Sequence, residues 1–182
     1  MASLSRLRIL ALCGLLACGQ PLQIQAASAS EEQVKAVFLF NFAHFVEWPP
    51  GMFASSSQPF VIDFAGGDDL APLLEQAVGG EVVDGHPMQV RRAGESEAPG
   101  HILFIGRSEA AKLPRILADG ASRGTLTVSD LPDSARRGVM IEMVNERNRI
   151  RLRINLAAAR AAGLTISSNL LRPAEIVGAE AR

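Results

Sequence analysis

Cysteine is almost absent from this chain, and where it occurs excludes much chemistry. Both cysteines, Cys13 and Cys18, stand in the first twenty residues. A mature domain starting near Ser30 therefore has no disulfide and no thiolate metal site. No apolar run beyond the first thirty residues is long enough to span a bilayer. Heptads, internal repeats and low-complexity blocks are also missing. There is no Gly-x-Gly-x-x-Gly, no Walker pattern and no Gly-x-Ser-x-Gly elbow. His44, His86 and His101 lie on different predicted elements, without ligand spacing. The serines Ser108, Ser129, Ser134, Ser167 and Ser168 read as caps or turn residues. No enzyme activity and no cofactor are expected.

Basic excess is missing too. The first thirty residues hold Arg6 and Arg8 and no acid, which leaves 16 basic against 19 acidic side chains, a net charge of −3. A general nucleic-acid binder would carry a dense basic surface, so none is expected here.

The amino-terminal residues carry an export signal. Arg6 and Arg8 precede the apolar run Ile9 to Ala17, and small residues follow. That order is a secretory signal peptide. Its apolar run reaches only about 14 Å as a helix, too short for a permanent span. Residues 1–29 are read as the leader and 30–182 as one domain, which places the protein outside the cytoplasm. An alternative reading takes Leu15-Leu16-Ala17-Cys18 as a lipobox, making Cys18 a lipidated membrane anchor.

The rest of the chain predicts an α/β domain: a mixed sheet with helices on both faces. Ser30-Glu31-Glu32-Gln33 is a capping box that opens a helix to Val46. Val34, Val37, Phe38, Asn41, Phe42 and Phe45 follow helical spacing, and the helix is apolar nearly all round. Trp48-Pro49-Pro50-Gly51 stops it. Phe60 to Ala65 reads as a buried strand, and acidic capping at Gly66 to Asp69 starts a helix from Leu70 to Val78. A hairpin turns at Asp84-Gly85 within Glu81 to Arg92. Ile102 to Ile105 is a central strand, Ser108 caps a helix to Asp119, and Thr125 to Val128 is a short strand. A second hairpin joins Val139 to Val144 with Arg149 to Ile154. Asn155 caps an alanine-rich helix ending at Gly163. A last helical piece after Ser167-Ser168 includes Leu170, Leu171, Ile176 and Val177.

Two features stand out as candidate contact surfaces. Arg149, Arg151 and Arg153 alternate with Ile150, Leu152 and Ile154, so the arginines share one face of a strand. Neighbours on a face are about 6.6 Å apart, which makes a cationic stripe of about 13 Å on an acidic protein. Arginine binds carboxylates in a planar, bidentate manner. Glu142 is expected to pair with one of the three across the hairpin. Reversal of Arg151 and Arg153 is expected to abolish partner capture at little cost in stability. The second feature is the aromatic cluster Phe38, Phe40, Phe42, Phe45, Trp48 and Phe53, with Phe40, Phe45 and Trp48 as candidates for a ligand pocket or a dimer contact.

Several stretches together resemble one family. They are Val34 to Phe42 with Val46-Glu47-Trp48-Pro49; His101 to Ile105; Leu126 to Asp130; and Arg149 through Ser168, ending in Leu170-Leu171-Arg172. The chain resembles the YfiR family (DUF4154) over essentially all of its mature length. The resemblance implies a dimeric periplasmic regulator that inhibits a membrane diguanylate cyclase by binding its periplasmic sensor domain. It implies release of that inhibition by an outer-membrane, peptidoglycan-binding lipoprotein, and so a rise in cyclic-di-GMP. The family also occurs beside other sensors, so a kinase could replace the cyclase. By matching position, it places partner contacts at Arg149, Arg151, Arg153, Asn155, Ser167, Ser168 and Arg172. Two departures stand out: the mature chain lacks the cysteine pairs of some members, and Pro173 interrupts a final helix. A small-ligand-binding protein feeding a membrane sensor is the alternative.

Overall fold

A computed structural model describes residues 29–178 apart from 54, 56, 68, 97 and 121–123. All of the proposed leader but its last residue, and with it Cys13 and Cys18, lies outside the described residues.

Helix α1 spans Glu31–Phe45. Ser30 Oγ accepts from Gln33 N–H and Gln33 Oε1 accepts from Ser30 N–H, so the capping box is complete. After α1 the chain forms β1 (Val46–Glu47), β2 (Phe60–Ala65), α2 (Ala71–Val78), β3 (Val82–Val83) and β4 (His86–Arg92). Next come β5 (Ile102–Ile105), α3 (Leu113–Gly120), β6 (Leu126–Ser129), β7 (Ile141–Glu146) and β8 (Arg149–Asn155). The chain closes with α4 (Leu156–Ala161), β9 (Thr165–Ile166), α5 (Ser168–Leu171) and β10 (Glu175–Val177).

The main sheet runs β10-β8-β7-β6-β5-β2-β4-β3. Strands β4, β2, β5, β6 and β7 are parallel, in the strand order of a doubly wound fold. Strand β8 turns back antiparallel to β7, and β10 adds parallel to β8 at the edge. A small ladder of β1 with β9 ties the end of α1 to the carboxyl-terminal segment. One face of the sheet packs Phe60, Ile62, Phe104, Leu126, Ile141, Met143, Leu152 and Ile154 against α1 and α2. The other packs Leu103, Ile105, Leu131 and Val139 against Leu113 of α3.

Two hairpin turns fix the strand registers. Asp84 and Gly85 both have positive φ, as do Arg147 and Asn148. Such two-residue turns twist with the strands they join. Gly106 is required at the end of β5 for a different reason: a Cβ there would stand 2.6 Å from the Gly67 nitrogen.

Four sequence expectations change. The buried face of α1 is Lys35, Ala36, Leu39, Phe42 and Ala43, while Val37 is 54% exposed. Small side chains at 36 and 43 let the helix approach the sheet, so the flanking aromatics sit at its margins. Leu70, not an acidic residue, is the N-cap of α2, without a side-chain cap bond. Ser108 lies in a 3-10 turn, Arg107–Glu109, and α3 starts only at Leu113. Ile176 and Val177 are strand rather than helix, because the unfilled edge of β8 pairs with them.

Candidate functional site

The seven residues singled out in sequence lie in three places. Arg149, Arg151 and Arg153 project from one face of β8, opposite Glu146, Val144 and Glu142 of β7. Arg149 and Arg151 are exposed and form no ion pair among the described residues. Arg153 differs: its Nε donates to Glu175 Oε2 at 2.9 Å, its Nη1 lies 3.4 Å from Glu142 Oε1, and its Nη2 lies 3.5 Å from Glu146. The Glu175 hydrogen bond and the surrounding acids raise its pKa, against a smaller opposing effect of burial.

Glu142 is only 1% exposed and also accepts from Asp133 N–H and Ala135 N–H, each at 3.0 Å. The cross-strand pair is therefore largely buried on its acidic side and shapes the turn before β7. Reversal of Arg153 would set a second carboxylate beside this buried one, so a larger stability cost is expected there than at the exposed arginines.

Asn155 is built into the scaffold. Its Oδ1 accepts from Ala158 N–H to cap α4, and its Nδ2 donates to Ala135 O, both at 2.9 Å. Ser167 Oγ caps α5 through Asn169 N–H, and Ser167 N–H donates to Phe45 O. Ser168 and Arg172 are exposed, with Arg172 Nη2 donating to Asn169 Oδ1 at 3.3 Å. Ser167 thus sits by the carboxyl end of α1. Arg149 flanks its amino end, where Asn145 Nδ2 donates to Glu31 Oε2. Fifteen helical residues separate the ends by about 22 Å. The arginines and the two serines therefore do not form one compact patch.

The aromatic residues likewise divide. Phe42 is fully buried. Phe40 meets His44 edge-on at 5.2 Å, and Phe45 packs on the core margin. Only Trp48 of the three candidates lines the adjacent cleft of about 520 Å3, with Phe53, Phe60 and Val83. Trp48 packs edge-on against Phe60 at 5.0 Å and donates from Nε1 to His101 O at 3.3 Å. Phe53 stacks between His86 (3.6 Å) and His101 (4.5 Å).

His101 is a structural group within this stack. Its Nδ1 accepts from Val61 N–H at 3.0 Å, which puts the proton of the neutral ring on Nε2. Burial, then the neighbouring His86, push its pKa down to about 4.

A second charged cluster went unread in sequence. Lys35 is buried on α1 and its Nζ contacts Glu31 Oε1 at 2.6 Å and Asp130 Oδ2 at 2.8 Å. Arg107 reaches the same two acids from the end of β5, at 3.6 and 3.4 Å. Burial alone would lower the Lys35 pKa, but bonds to Asp130 and Glu31 hold it above its ordinary value. These residues border a crevice of about 450 Å3 at the carboxyl ends of β2, β5 and β6, with Gly67, Asp69, Gly106 and Ser108. Doubly wound folds place ligands at this position. Here both cations are matched by acids that clamp α1 onto the sheet. The lysine lies one position off the apolar spacing of α1, so only the helix's actual rotation reveals its burial.

Among the described residues no helix is long and apolar enough to cross a membrane. None of the His, Asp or Glu side chains described here cluster as a metal site. No curated protein matches the chain significantly. The model of the YfiR/HmsC-like family matches residues 32–175, from the first turn of α1 to the start of β10. That span is most of the chain and includes every strand of the main sheet before β10, so this protein belongs to the YfiR/HmsC-like family.

Proposed function

We propose that this chain is a periplasmic regulator that inhibits a membrane-bound sensor, a diguanylate cyclase, by binding the sensor's periplasmic domain. Family membership carries this reading, because the family is regulatory rather than catalytic. The leader would be removed near Ser30, leaving a soluble protein. A lipid on Cys18 would instead tether it. Mass spectrometry of the mature amino terminus decides between them. A homodimer and release by an outer-membrane lipoprotein belong to the same reading.

The docking surface would centre on Arg149 and Arg151, the two arginines of β8 that the fold leaves unpaired. Rim cations of this kind steer an acidic partner and fix its register, while buried apolar anchors hold it. Arg153 and Asn155 would support the surface from within. Ser167, Ser168 and Arg172 would serve a separate contact at the far end of α1.

The test is capture of the purified periplasmic sensor domain by the Arg149→Glu/Arg151→Glu variant. Binding is expected to fall by about tenfold or more, with unchanged thermal unfolding. Full capture by the reversed protein removes this surface from the proposal.

A further inference from the structure

Strand β8 is paired along one side and only in part along the other. All six residues of β7 pair with it, from Ile141↔Ile154 to Glu146↔Arg149. Asn155 N–H donates to Met140 O at 2.8 Å, which sets the alternation of the whole ladder. Arg153, Arg151 and Arg149 then exchange bonds with β7, while Ile154, Leu152 and Ile150 direct their backbone groups away from it. On that outer side β10 pairs only with Arg153 to Asn155. The start of β10 reaches the Leu152 carbonyl. Leu152 N–H and both backbone groups of Ile150 face outward with no strand beside them among the described residues.

An open edge is a template for an added strand. The side chains around this one say which strand fits. On one face stand Arg149 and Arg151, exposed and without acidic partners among the described residues. On the other, Ile150 is half-buried beside a recess of about 490 Å3, bordered also by Ser30, Glu31, Val34, Asn145, Asn148 and Arg149. Residues directly opposite on neighbouring strands share a face. A strand laid along Arg149 to Leu152 would place alternate side chains over the two guanidinium groups and those between them over Ile150 and Val34.

We infer that the open edge of β8 takes an extended acidic segment of the partner protein as an added strand, in an acidic–apolar–acidic pattern. This inference rests on the proposed docking surface and specifies how it binds. Acidic side chains bridge to Arg149 and Arg151, the intervening apolar side chain enters the recess, and backbone bonds form to Ile150 and Leu152. The site discriminates by pattern as well as by charge, because a one-residue slip sends the carboxylates to the apolar face.

The probe is a synthetic peptide alternating glutamate with valine, compared with one of the same composition in block order, added to the purified full chain. Backbone amide hydrogen exchange is the readout. The alternating peptide is expected to slow exchange at Ile150 and Leu152 by about tenfold or more, and the block peptide to bind weakly. Arg149→Glu/Arg151→Glu is expected to lose the glutamate peptide and gain a lysine–valine counterpart. Binding without protection at Ile150 and Leu152, or no binding of the alternating peptide, overturns the added strand. If the sensor domain is still captured through the arginines while those two amides stay unprotected, edge pairing fails and the regulatory reading stands. If capture ignores the arginine reversal, the docking surface itself fails.

Discussion

The two ends of β8 carry the same residue type in the same alternation, and the fold treats them differently. At the Arg153 end, strands flank β8 on both sides and supply Glu142 and Glu175, and the side chain of Glu146, which stands opposite Arg149, also reaches Arg153. At the Arg149 end, β10 has not yet begun, and Arg149 and Arg151 face solvent. Lys35 belongs with Arg153 as a cation consumed by the structure. His101 is a third case, a cation that the structure does not allow to form in the neutral pH range. What separates a scaffold cation from a contact cation is therefore the neighbouring strand, not the residue or its spacing.

The largest effect should come from removing a consumed cation. Lys35→Ala opens a buried gap and leaves Glu31 and Asp130 with only the largely exposed Arg107 to pair them. It is expected to destabilise by about 3–5 kcal/mol, read as a fall in the denaturation midpoint. Arg153→Glu is expected to cost about 2–4 kcal/mol, because Glu142 loses its partner and gains a repelling neighbour. A near-neutral result for either would erase the distinction drawn above.

The forbidden cation gives a pH test. The folded pKa of His101 is about 4, against about 6.5 for a free imidazole. Between these values the unfolded chain binds the extra proton, so stability falls as pH drops from about 6.5 toward 4 and levels off below that. The loss attributable to His101 is about 3–4 kcal/mol. Denaturant titrations across that range should show the slope in the parent chain and a shallower one in His101→Gln.

Smaller effects sharpen the other side. Arg149→Glu/Arg151→Glu should move stability by no more than about 0.5 kcal/mol, with secondary structure unchanged by circular dichroism. The hairpin turn offers a gain of similar scale. Arg147 sits at a φ of 52°, where glycine is unstrained. Arg147→Gly should raise stability by about 0.5–1 kcal/mol, measured as a higher unfolding temperature.

Local chemistry made much of the fold legible. The Ser30 capping box, the Asn155 cap, the Asp84-Gly85 turn and the alternation of β8 are each decided within a few residues, so reading them required no knowledge of packing. The Glu142–Arg153 pair was also within reach, because a two-residue hairpin turn sets its register. Less legible were elements whose state depends on a distant partner. Ile176 and Val177 look equally helical or extended until the β8 edge is there to pair them. Ser108 resembles a helix cap but is taken up by a short 3-10 turn. The separation of Arg149 from Ser167 could not be read either, since it depends on which ends of α1 they meet.

By itself, the sequence determined the order of elements, their caps and turns, the regular alternation on β8 and an acidic chain without cysteine beyond its first thirty residues. These follow from steric preferences and hydrogen bonds between near neighbours. Only the tertiary structure decided which cations are neutralised and which remain free. It also decided that Lys35 is buried and that one stretch of sheet edge stays open. Those outcomes depend on Coulomb and burial energies between residues brought together from distant parts of the chain, and no local pattern encodes them.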